Sequence, residues 1–100
     1  MSECEHCKTF KETPRGEEEV KSLISRVNRI KGQVDGIKTM LEENRYCGEI
    51  LIQISAAESA LRSLSYLIFE EHLGTCVSEK IKSGDEEIIK ETVELVKKLK

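Results

Sequence analysis

The sequence predicts an all-α fold, a three-helix protomer that assembles with further copies of itself. Three observations carry this prediction. Apolar residues recur at spacings of three and four over most of the chain, the period of a helix face. The 100 residues include one Pro and six Gly and are 35% charged, a composition that favours helices over a turn-rich β fold. The middle of the chain is apolar on more sides than one small protomer covers. There is no Trp and aromatics make up 4%, so a core has to be built from Ile, Leu, Val and Ala.

Residues 1–16 (MSECEHCKTFKETPRG) show no periodicity and end in Pro14 and Gly16, which predicts a flexible tail ahead of a single helical domain over 17–100. In the first helix Val20, Leu23, Ile24, Val27, Ile30, Val34, Ile37, Met40 and Leu41 form the apolar stripe. Glu17, Glu18 and Glu19 stand at its start, where the helix dipole favours acids. Gly32 and Gly36 each cost ~1 kcal/mol against Ala, and glycines four apart also suit the close approach of another helix. The helix is expected to stop near Asn44.

A second helix is expected to begin at Tyr46–Gly48 and to run through Cys76 to about Ile81, despite Gly74. Its apolar residues, among them Ile50, Ile52, Ile54, Ala57, Leu61, Leu64 and Leu67, do not fit on one stripe. A helix apolar on several sides is buried on several sides. One long and one short helix are the only cover this chain has to give, which predicts an oligomer. Ser83-Gly84-Asp85 is a break, after which Ile88, Ile89, Val93, Val96 and Leu99 outline a short third helix.

No apolar run approaches the ~18 residues of a membrane span, and the first residues lack a signal-peptide layout. The expected location is therefore the cytoplasm, without a membrane partner, where cysteines read as ligands or reactive thiols before disulfides. No histidine is placed to serve as base to a thiol nucleophile, so no enzyme is expected. The net charge is −3, but residues 20–41 carry Lys21, Arg26, Arg29, Lys31 and Lys38 against Asp35 alone. A basic stripe on an acidic protein is what a DNA-facing surface requires. On charge alone, an ordinary solvated helix face is the simpler reading.

His72 and Cys76 are four apart and share a helix face, so they can clasp one ion. Cys47 stands 25 residues before His72, roughly 37 Å along a continuous helix. One chain cannot close that gap, whereas two such helices packed antiparallel bring Cys47 of one protomer against His72 and Cys76 of the other. Two thiolates and one imidazole are a soft set of low coordination number, which suits copper(I); zinc wants a fourth ligand and nickel more nitrogen. Two small buried cysteines and a surface histidine are an alternative of equal weight on spacing alone. Cys4, His6 and Cys7 make a second cluster, a candidate accessory metal site or copper relay, for which an idle tail is the preferred reading.

The runs RVNRIKGQVDGIKTMLEENRYC (26–47), QISAAESAL (53–61) and EEHLGTCV (70–77) resemble the copper-sensitive operon repressor family, CsoR, and the resemblance covers roughly residues 17–100. It implies a dimer with an antiparallel four-helix-bundle core, two dimers forming a homotetramer. It also implies a repressor that binds double-stranded operator DNA as apoprotein and is released by copper(I); a copper chaperone is a further candidate partner. Cys47, His72 and Cys76 fall on the family's three copper ligands. Tyr46 matches a tyrosine behind the site, and Glu91 a glutamate near the liganding histidine. For DNA the resemblance points to Arg26, Arg29, Lys31 and Gln33, with Arg62 a fainter candidate. Related repressors of the same fold sense nickel or cobalt, or thiol-reactive species such as persulfides and aldehydes. The nickel and cobalt sensors add a histidine before the first helix, where this chain reads Pro14-Arg15-Gly16; persulfide sensors lack the histidine that stands here as His72.

Overall fold

The structure, a computed structural model, describes residues 11–99. Four α-helices follow in order: α1 (Glu17–Glu42), α2 (Cys47–His72), α3 (Ser78–Lys82) and α4 (Glu87–Lys98), with a π-helical turn over Leu73–Val77 joining α2 to α3. The helical path is unbroken from Cys47 to Lys82. The chain is thus three helical rods, as its periodicity predicts, with no strand among the described residues.

The ends of the rods follow from local chemistry. Glu17, Glu18 and Glu19 fill the first turn of α1, where acids meet the positive end of the helix dipole. At the other end Asn44 takes the left-handed conformation, with φ of 54°. Its N–H donates to the Leu41 carbonyl at 3.2 Å, and the Arg45 N–H to the Met40 carbonyl at 2.9 Å. This pair of bonds is a Schellman cap, which closes carbonyls the helix leaves open. The same two bonds recur after α3, where Gly84 has φ of 90° and Gly84 and Asp85 donate to Ile81 and Lys80. Asp85 then turns the chain into α4, its Oδ1 accepting the Glu87 N–H at 2.9 Å. Asn tolerates positive φ better than other side-chain-bearing residues. Asn44→Ala should therefore lower the stability measured by urea unfolding by about 1 kcal/mol, with Asn44→Gly close to neutral.

The π-helical turn is the one departure from the regular second helix that periodicity predicts. It contains Gly74, a poor helix former, and Thr75, whose Oγ1 donates to the Glu71 carbonyl at 2.8 Å. The helix widens there and then continues to Lys82.

Contacts group the chain into two compact units. In residues 16–66, α1 and most of α2 bury Ile30 and Ala57. A groove of about 340 Å³ in this unit is lined by Val27, Ile30, Val34, Leu61 and Leu64, with Lys31 and Asp35 at its side. In the other unit, residues 67–99 bury Val77 and Ile88, and residues 11–15 lie against them. Among the described residues no other large apolar side chain is buried, and Ile24, Val34, Leu51, Ile52, Ile89 and Val93 are at least half exposed.

Candidate metal centre

α2 begins at Cys47 and ends at His72, the continuous helix on which the expected sharing of the site between two chains rests. His72 is half-buried and hands the chain to the π-helical turn, in which Cys76 is also half-buried. Residues four apart stay on one side of such a turn, so the imidazole and the thiol share a face. Both Cys47 and Cys76 are free thiols, Cys47 exposed. Among the described residues no three His, Cys, Asp or Glu side chains of the single chain gather in a metal-binding group. The donor set of two free thiols and one imidazole is soft and fits copper(I).

Tyr46 precedes Cys47 and is 75% exposed. The ring lies over Gly48, where an added Cβ would meet Tyr46 Cε2 at 2.6 Å. A side chain at 48 would push this exposed ring aside. Glu91 is exposed on α4. Cys4, His6 and Cys7 lie outside the described residues.

Cys76 has a neighbour that no sequence pattern announces. Lys11 Nζ donates to Cys76 Sγ at 3.3 Å and to Thr75 Oγ1 at 3.0 Å. Arg15 Nε pairs with the carboxylate of Glu71 at 2.7 Å, beside His72 in sequence, and that glutamate side chain is only 11% exposed.

The residues nominated for DNA lie in the unit formed by residues 16–66. Arg26, Arg29, Lys31 and Arg62 are exposed. Arg26, Arg29 and Gln33 share one face of α1 by their spacing. Lys31 sits on a different face, along the apolar groove. Gln33 is half-buried, and its Oε1 is buried with no hydrogen-bond partner among the described residues.

No helix among the described residues is long and apolar enough to cross a membrane. Residues 19–98 match the family model described as "Metal-sensitive transcriptional repressor". The copper-sensing transcriptional repressor CsoR of Bacillus subtilis is 41% identical over 85 residues, 84% of each chain. The crystal structure of the copper-sensing repressor CsoR with Cu(I) from Geobacillus thermodenitrificans superposes with a TM-score of 0.82 at 40% identity, covering 86% of this chain and 91% of that one. The nickel-responsive transcriptional regulator InrS superposes with a TM-score of 0.70 at 30% identity, covering 91% of this chain and all of that one. The chain belongs to the metal-sensitive transcriptional repressors, a family of DNA-directed regulators and not of enzymes.

Proposed function

We propose that this protein is a cytoplasmic copper(I)-responsive repressor that binds operator DNA in its metal-free form and leaves it when copper(I) binds. The carrying observation is the donor set: two free thiols and a histidine, with His72 and Cys76 on one face at the end of the helix that Cys47 begins. Cys47 of one protomer and His72 and Cys76 of a second copy are the ligands in this reading. Tyr46 and Glu91 are the outer partners, which orient ligands and tune the ion they hold. Bound copper(I) would tie two protomers together, so occupancy of the site bears directly on how the protomers sit against each other.

The four buried apolar residues and the apolar groove between α1 and α2 support an assembly in which other copies cover the exposed faces. We assign a dimer with an antiparallel four-helix core, two dimers forming a tetramer, and residues 17–100 as one metal-sensing DNA-binding domain. Arg26, Arg29 and Lys31, with Arg62, are the cations that meet phosphates, and Gln33 is the candidate for a base edge. A copper chaperone is the candidate donor of the ion.

Nickel is the second reading, favoured by the likeness to the nickel-responsive regulator. Against it, the segment before α1 reads Pro14-Arg15-Gly16, without a histidine, and the donor set holds two thiols. Operator binding measured by fluorescence anisotropy with copper(I), nickel(II) and zinc(II) decides the matter. Release at one copper(I) per protomer is expected; retention with copper(I) and release by nickel(II) would transfer the role to nickel.

A further inference from the structure

The segment ahead of α1 docks on the helical face that carries half of the proposed metal site. Lys11 reaches Thr75 and Cys76, and Lys80 Nζ pairs with Glu12 at 3.5 Å. Thr13 Oγ1 donates to Glu79 at 2.8 Å, and Arg15 pairs with Glu71 at 2.7 Å. Glu71, Thr75 and Glu79 are four apart along the helical path, with Cys76 and Lys80 next to them, so four residues of the strap, Lys11, Glu12, Thr13 and Arg15, meet one face. Opposite charges meet at Glu12–Lys80 and at Arg15–Glu71.

We propose that Lys11 is a positioning residue that holds the Cys76 sulfur in the metal-free protein and sets how tightly that sulfur takes up metal. The proposal rests on Cys76 being a ligand, as assigned above. An ammonium at 3.3 Å occupies the side of the sulfur it approaches, and a second cation on the same sulfur is repelled by it. Metal uptake therefore requires Lys11 to leave Cys76, and the hydrogen bonds it gives up count against metal affinity. Lys11 acts through Cys76 and is not itself a ligand. The strap thus couples the segment ahead of α1 to the state of the sensor.

Two measurements on the full chain test this: copper(I) affinity by competition with a chromophoric chelator, and the rate of trypsin cleavage after Lys11. With the amine engaged, that bond is a poor substrate. The net loss of one hydrogen bond from a charged donor, at the low end of its worth, corresponds to about a tenfold effect. Lys11→Ala should bind copper(I) about tenfold more tightly, Lys11→Arg should stay near the unmodified protein, and copper(I) should speed cleavage after Lys11 in the unmodified chain. A Lys11→Ala protein with unchanged or weaker affinity overturns the proposal, as does an arginine variant as tight as alanine or a cleavage rate indifferent to copper(I). In each of these cases the unmodified chain still takes up copper(I), and the copper reading stands. If the unmodified chain takes up no copper(I), both fall together.

Discussion

Replacing Cys47 with Ala should abolish the response of operator binding to copper(I) and leave the metal-free affinity for DNA unchanged. Removing an outer-shell partner of a metal already costs about 10–100-fold in affinity, and removing one of three ligands costs more. The copper needed for release then moves up by more than a hundredfold. The coupling itself is modest in energy, since about 3 kcal/mol between metal and DNA is over a hundredfold in affinity. Loss of metal binding is thus enough to silence the switch. Cys47 is the exposed first residue of α2, and Ala is the better helix former, so the helix itself is preserved. An unfolding midpoint equal to that of the unmodified protein and an unchanged metal-free anisotropy curve check that the lost response is one of metal binding alone. A Cys47→Ala protein that still released DNA at one copper(I) per protomer would remove Cys47 from the site.

The second large effect concerns charge. Arg26 and Arg29 stand one helical turn apart on an exposed face of α1. Each phosphate neutralised contributes about −0.9 to the slope of log affinity against log salt. Replacing both with Ala should flatten that slope by about 1.8 if each meets one phosphate, and should lower operator affinity more than tenfold at physiological salt. The same variant should take up copper(I) as the unmodified protein does, since neither arginine belongs to the donor set. A slope that does not change places the DNA face elsewhere on the chain.

Much of this architecture is legible in the chain because it rests on local rules. The i, i+3, i+4 stripe of Val20 to Leu41 gives α1, and Asn44 and Gly84 mark its end and the end of α3 because positive φ suits few other residues. His72 and Cys76 announce themselves through four-residue spacing. Cys47 stands at the other end of α2, and the helix rise between it and His72 is what motivates the proposal of a site shared between protomers. Three features escape such rules. The π-helical turn over Leu73–Val77 widens the helix without any change in the hydropathy pattern to mark it. Lys11 meets Cys76 across 65 residues of chain, in a segment with no periodicity to place it. Gln33 reads as a polar residue on the face of Arg26 and Arg29, yet its oxygen is buried, and burial of a polar atom leaves no mark in a hydropathy pattern.

The most direct test of a metal site shared between two chains is complementation. Cys47→Ala retains His72 and Cys76, while His72→Ala/Cys76→Ala retains Cys47, and neither homodimer has a complete site. In an equal mixture refolded together, half of the dimers are mixed, and each of those has one full site and one empty one. Tight copper(I) binding should therefore return at about a quarter of the unmodified stoichiometry. No recovery on mixing, with both variants folded and dimeric, would contradict a site built from two protomers.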